Sequence, residues 1–224
     1  PDPLRFTGRI STGAPSRPEA GSPPEESPSA RLTDVRVGRR LRVDELTLHH
    51  GARLLIRGPN GAGKSSLLKV LAGELAPDSG EVERHGLVGY LPQDVPDTDR
   101  RRSLLAAFAS DRAGTPEEHR ERLRSLGLFR PSDFDRRVGA LSVGQRRRLA
   151  LARLLCEPAD LLLLDEPTNH LAPDLVEDLE EALAQYPGTL VVVSHDRRLC
   201  ERFTGEQREM RAGRLAASAL TDRP

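Results

Sequence analysis

An α/β fold is expected, with a core of parallel strands, an antiparallel β subdomain and a small helical subdomain, and three observations predict it. From residue 138 onward helical and strand patterns alternate, which means parallel strands joined by helical crossovers. At 53–75 an apolar run, RLLIR, enters a glycine-rich loop and then an apolar-periodic stretch, so strand, loop and helix follow one another directly. Between 32 and 48, LTDVRV and LRVDELTL alternate apolar and polar residues, as half-buried antiparallel strands do.

Residues 11–30 read STGAPSRPEAGSPPEESPSA, rich in proline and serine and without a branched aliphatic side chain. Such a segment buries too little surface to offset chain entropy. Residues 1–31 are therefore expected to be a disordered linker or arm, and the globular domain to span 32–224 with order starting near Leu32. The two alternating segments make the antiparallel strands. The strand at 53–57 leads through its loop into a helix at 64–75, and a short strand follows at about 87–91. The polar stretch at about 100–155 is patterned as helix and forms the helical subdomain. Within it Thr115, Pro116 and Glu118 make a capping-box start with proline at the first helical position. The remainder reads as helix (142–156), strand (160–164), helix (173–185), strand (189–194) and helix (196–203), without an internal repeat.

The 34 basic and 34 acidic side chains cancel, which excludes a bulk polycation. Any contact with nucleic acid or membrane must come from local patches. No apolar run approaches the ~20 residues that a membrane span needs, so no segment is expected to cross a bilayer. Cys156 and Cys200 are the only cysteines, too few for a disulfide framework, and no signal peptide opens the chain. A reducing, cytoplasmic setting is expected. The chain starts at Pro1 and its only methionine is Met210, so it reads as a fragment of a longer translated protein. Lys64 and Lys69 are its only lysines, an arginine bias read first as the codon usage of a GC-rich genome.

Residues 58–65, GPNGAGKS, fit the P-loop pattern between a strand and a helix. Gly58, Gly61 and Gly63, with Pro59, Asn60 and Ala62 between them, let the backbone fold into a nest. Its amides, with the positive end of the following helix, hold phosphate oxygens. Lys64 would reach the β- and γ-phosphates, Ser65 would offer a hydroxyl to Mg2+, and Ser66 lies within reach of the α-phosphate. Residues 161–169, LLLLDEPTN, form a buried strand ending in two carboxylates, where open α/β sheets place their ligands. Asp165 can hold Mg2+ through its water shell. Glu166 is the candidate to orient the attacking water, and loss of such a group lowers rate by ~100- to 10,000-fold. In LSVGQ (141–145), Ser142 and Gln145 have capping-box spacing. A plain helix cap and a phosphate site at Ser142 and the Gly144 amide are both open readings.

The order of these motifs, with Gln93 in YLPQD and His195 in VVVSHD, resembles that of ATP-binding cassette domains over about residues 32–215. That resemblance implies a P-loop NTPase fold, ATP and Mg2+ as ligands, and a second cassette as partner. Two cassettes pair head to tail, so Ser142, Val143, Gly144 and Gln145 would serve the partner's nucleotide. Gln93 would complete the Mg2+ and water shell beside Ser65 and Asp165. His195 would contact the γ-phosphate, and Asp174 falls near the loop where cassettes meet. Two departures stand out. Val143 occupies a position where many cassettes have glycine, and residues 32–54 hold no Phe, Tyr or Trp to stack adenine, leaving Arg39, Arg40 or Val37 for that contact.

DEPTNHL, with Asn169, His170 and Leu171 after the carboxylates, resembles the ABC-F branch, which carries two cassettes in one chain and acts on the ribosome. The opening PDPLRFTGR is similar to the end of a linker entering a second cassette. The resemblance implies the C-terminal ATPase domain of an antibiotic-resistance ABC-F protein, its partner cassette being in the same full-length chain, or a second copy for the isolated domain. Clusters at 100–102, 120–124 and 146–148 are either rRNA-phosphate contacts or solvated helix faces. The ATPase subunit of a drug exporter and a non-hydrolysing nucleotide-dependent clamp remain the alternatives.

Overall fold

The computed structural model describes residues 28–94, 100–169 and 171–216. Most of the expected linker and His170 lie outside the described residues. In chain order the elements are β1 (Pro28–Val37), β2 (Leu41–His49), β3 (Arg53–Arg57), α1 (Lys64–Ala72), β4 (Ser79–Arg84) and β5 (Val88–Leu91). Then come α2 (Leu104–Ala109), α3 (Pro116–Ser125), α4 (Val143–Leu155) and β6 (Leu161–Asp165). The chain continues with α5 (Pro173–Ala184), β7 (Thr189–Val193), α6 (Arg197–Arg202), β8 (Glu206–Arg211) and β9 (Arg214–Leu215). They form two compact units. A helical unit is built from Asp94–Glu157 and Thr168–Tyr186, and a sheet unit from the described parts of Thr12–Gln93, Pro158–Pro167 and Pro187–Pro224.

The sheet unit carries nine strands in the order β4-β1-β2-β9-β8-β3-β7-β6-β5. β1 and β2 pair antiparallel with Leu32 opposite Leu46 and Val35 opposite Val43, so their apolar residues share the core face. The run β8-β3-β7-β6-β5 is parallel throughout. β6 and β7 are buried along their whole length, which is why they read as unbroken apolar runs and not as alternations. Leu54, Ile56, Leu67, Leu68, Leu71, Leu163, Val191 and Met210 meet in one core between sheet and α1.

β1 includes residues 28–31, which were expected to belong to the linker, ahead of the expected start of order near Leu32. The cause is polar. The Ser29 hydroxyl hydrogen-bonds Thr189 Oγ1 at 2.7 Å, and the Ser29 carbonyl accepts the His85 N–H at 2.9 Å. Small residues that look like linker thus complete the β1 ladder, and Ala30 is wholly buried. Val37 also packs into the core, which removes it as a flat contact for a base.

In the helical unit Thr115 and Glu118 form the expected capping box of α3. Ser103 caps α2 by accepting the Ala106 N–H at 3.2 Å. The unit is wider than the stretch at 100–155, because α5 belongs to it, burying Leu175, Val176, Leu179 and Leu183 along one face. Guanidinium groups lie over its rings: Arg112 over Phe108 (5.0 Å), Arg120 over Phe134 (5.7 Å) and Arg148 over Phe129 (5.9 Å). Among the described residues no helix is long and apolar enough to cross a membrane.

Candidate functional site

The chain leaves β3 at Arg57 and enters α1 at Lys64 through the glycine-rich loop. Gly58, Gly61 and Gly63 have φ of 145°, 77° and 102°, a backbone that side-chain-bearing residues rarely adopt. At two of them there is no room for a side chain either. A Cβ on Gly58 would strike the Met210 carbonyl, and one on Gly63 the Arg40 carbonyl. The loop is therefore fixed in shape by sequence-distant backbone. Lys64 is buried, and its Nζ donates to the Gly58 carbonyl at 2.7 Å and the Pro59 carbonyl at 2.9 Å. Burial lowers its pKa, while the nearby Glu166 and Asp165 carboxylates oppose that shift. Ser65 and Ser66 follow in the first turn of α1, half-buried.

Because β3, β7, β6 and β5 are parallel neighbours, their carboxyl ends lie along one edge of the sheet. That edge collects the P-loop after β3, Ser194 and His195 after β7, Asp165 and Glu166 at the end of β6, and Gln93 just past β5. Asp165 is 1% exposed and Gln93 is exposed. Glu166 is buried, with a left-handed backbone (φ 51°) that no glycine provides. Its N–H donates to the Val193 carbonyl at 2.9 Å. Its carboxylate accepts the His195 N–H at 3.2 Å through Oε2, and Oε1 lies 3.5 Å from His195 Nε2. Burial pushes the Glu166 carboxyl above its ordinary value, and the hydrogen bond and charge interaction with His195 draw it partly back. Two groups predicted separately from sequence, Glu166 and His195, thus form one pair.

The donor set along this edge suits a hard divalent ion. The Ser65 hydroxyl, the Asp165 carboxylate and the Gln93 amide are oxygen ligands, the kind that Mg2+ prefers.

Ser142, Val143, Gly144 and Gln145 fall in the helical unit at the start of α4. The capping box is present in full: Ser142 Oγ accepts the Gln145 N–H at 3.2 Å, and Gln145 Oε1 accepts the Ser142 N–H at 3.0 Å. Val143 is 63% exposed, unusual for a large aliphatic residue in this chain. Asp174 is exposed in the first turn of α5. The basic clusters are largely engaged within their own unit. Arg147 is buried, Arg146 donates to the Leu141 carbonyl (2.6 Å), Arg148 to the Leu128 carbonyl (3.3 Å), and Arg124 pairs with Glu121 (2.7 Å).

Sequence reasoning missed the residues that brace the loop. The turn between β8 and β9 presses on it: the Gly213 N–H donates to the Ala62 carbonyl at 2.9 Å, and the Gly213 carbonyl accepts the Arg42 N–H at 2.6 Å. A Gly in a charged stretch, GEQREMRAGR, was the available signal, and nothing in it names its partner.

Residues 41–169 match the ABC transporter family. The chain is 54% identical over 212 residues to the tylosin resistance ATP-binding protein TlrC of Streptomyces fradiae, across 95% of this chain and 37% of that one. It is 37% identical over 162 residues to the ribosome protection protein VmlR of Bacillus subtilis, across 72% of this chain and 29% of that one. It thus spans well under half the length of these relatives. Among solved structures, a dimeric bacterial ABC transporter cassette superposes with a TM-score of 0.73 at 22% identity, across 84% of this chain and 97% of that one.

Proposed function

The chain belongs to the ABC transporter family, and from that premise we propose that it is one ATP-hydrolysing cassette of an ABC-F protein that acts in the cytoplasm on the ribosome and protects it from an antibiotic. The observation that carries the hydrolytic part is the buried Glu166 carboxylate, held by His195 on the sheet edge that also carries Lys64 and Asp165. Similarity to a tylosin-resistance protein and a ribosome protection protein supports the ribosomal part, as does the NHL sequence after the two carboxylates.

In the proposed reaction the amides of residues 58–65 hold the β- and γ-phosphates of ATP, and the Lys64 ammonium neutralises part of their charge. Ser65, Asp165 and Gln93 would hold Mg2+, which supplies further charge neutralisation on the phosphate oxygens when bound. Glu166 accepts a hydrogen bond from water and aligns its oxygen with the γ-phosphorus. The new P–O bond forms as the bond to the β–γ bridging oxygen breaks, ADP leaves, and the water proton passes to phosphate by way of the Glu166 carboxylate. His195 fixes that carboxylate and faces the γ-phosphate. Ser142, Val143, Gly144 and Gln145 serve the nucleotide of a second cassette, so turnover requires two cassettes together.

Co-sedimentation of the full-length protein with 70S ribosomes tests the reading. Glu166→Gln is expected to lower ATP turnover by about 100-fold or more and to pellet with ribosomes only when ATP is present, whereas Lys64→Ala does not pellet. Turnover unchanged by Glu166→Gln would leave a nucleotide-dependent clamp. Failure of an ATP-binding protein to pellet would favour an exporter subunit.

A further inference from the structure

His195 is held by its backbone more than by its surroundings. Its side chain is 46% exposed, so packing does not fix the ring, yet its N–H meets Glu166 Oε2 at 3.2 Å and its Nε2 lies 3.5 Å from Glu166 Oε1. A half-exposed residue keeps two such contacts only if the turn that carries it is rigid.

The residues on either side of it supply that rigidity. Ser194 is wholly buried just past β7, and its Oγ accepts the Asp196 N–H at 3.1 Å, which closes a turn across His195. Asp196 in turn caps α6: its Oδ1 accepts the Arg198 N–H at 2.9 Å and the Leu199 N–H at 3.4 Å. Two side-chain turns thus follow one another through residues 194–199, with His195 inside the first.

The helix they start is itself anchored. The Cys200 N–H donates to the Asp196 carbonyl at 3.0 Å, and the Cys200 carbonyl accepts Gln207 Nε2 at 2.9 Å. Gln207 is on β8 opposite Leu55 of β3, the strand that leads into the phosphate loop. Asp196 is by geometry the cap of a six-residue helix. It also follows directly on the residue whose N–H meets Glu166, so losing its bonds frees the backbone angles around His195 as well as the helix end.

We propose that Ser194 and Asp196 are positioning residues for ATP hydrolysis: the turns they close hold the His195 N–H and ring on the Glu166 carboxylate, and so aim that carboxylate at the attacking water. This rests on the reading of Glu166 as the group that orients water. The test is ATPase kinetics of the full-length protein carrying Ser194→Ala, Asp196→Ala, Asp196→Asn, Glu166→Gln, or Asp196→Ala together with Glu166→Gln. Each variant is also melted and titrated with ATP and with inorganic tripolyphosphate. Both alanine variants are expected to lower kcat about tenfold or more, with KM and the two binding constants within about twofold of the unaltered protein. Ser194→Ala leaves the helix cap in place, so it reads the same turn even if Asp196→Ala melts too low to assay. Asp196→Asn keeps an oxygen acceptor for the same two N–H groups and should restore most of kcat. In the Glu166→Gln protein, Asp196→Ala should lower kcat no further, because the group it aims is gone. A merely structural role would lower turnover by the same factor in both backgrounds, and that result would overturn the proposal. So would an unchanged kcat in either alanine variant, or a loss of tripolyphosphate binding. An asparagine variant as slow as the alanine one would also overturn it, by placing the effect on charge and not on the turn. If Glu166→Gln alone turns over as the unaltered protein does, the reading of Glu166 itself fails, independently of Ser194 and Asp196.

Discussion

Glu166 combines three costs at one residue: a left-handed backbone, a buried carboxylate and a pKa above its ordinary value of 4.5. Its ionised form is disfavoured in the folded chain relative to the unfolded one. The native state therefore binds the extra proton between those two pKa values, and stability falls as pH rises through that window. In nucleotide-free, metal-chelated protein, Glu166→Gln is expected to melt at a higher temperature than the unaltered chain at pH 8. The gain should shrink as pH drops through 4.5, below which the wild-type carboxyl is protonated in both states. A melting curve that is unchanged at pH 8 would show that His195 compensates the charge fully. At this scale sequence reading went far. LLLLDE placed both carboxylates at the end of a buried strand, and it was their occurrence together with the glycine-rich loop, not the strand end alone, that made them candidates. Arg40, Met210 and Gly213 escaped it, because they act on the loop through backbone atoms, and a carbonyl contact leaves no trace in residue type.

At the scale of the element, α4 shows how one serine can carry two readings. Ser142 Oγ is committed to the capping box in this chain. Ser142→Ala is expected to cost about 1 kcal/mol of stability, seen as a lower melting temperature. Ser142→Asp separates cap from phosphate contact, since aspartate also caps well but carries a negative charge. It should melt like the unaltered protein and lose ATP turnover in the two-cassette protein. Turnover retained by the aspartate variant would make Ser142 a helix cap and nothing more. Strands with a clear hydrophobic signal, β3, β6 and β7, were legible from sequence to within a residue or two. β4 (SGEVER) and β8 (EQREMR) were not. β8 alternates inward and outward positions, but its inward side chains before Met210 are Glu206 and Arg208, and β4 buries no residue, so neither shows an apolar alternation in sequence. Their place in the sheet comes from ladder bonds to β1 and β3, which every residue can make.

Across the whole molecule the phosphate loop depends on parts of the chain far from it in sequence. β3 lies between β7 and β8, both from the last third of the chain, and the β8–β9 turn touches Ala62. Gly213 has φ 80°, and a Cβ there would lie 2.8 Å from the Arg40 carbonyl. Gly213→Ala is expected to cost about 1–2 kcal/mol and to weaken tripolyphosphate as well as ATP, since the loop itself shifts. The division into a sheet unit and a helical unit was legible as alternation against a polar helical stretch. The membership of α5 was not, because an amphipathic helix does not state which neighbour its apolar face will cover.

The same dependence sets an order of events while the chain is being made. The glycine-rich motif is translated before β7, β8 and the β8–β9 turn that brace it. Until residue 213 has appeared, a nascent chain displays the glycine-rich motif without the turn whose N–H holds the Ala62 carbonyl. A nascent chain that stops short of that turn therefore carries the glycine-rich motif without the backbone contact that shapes it.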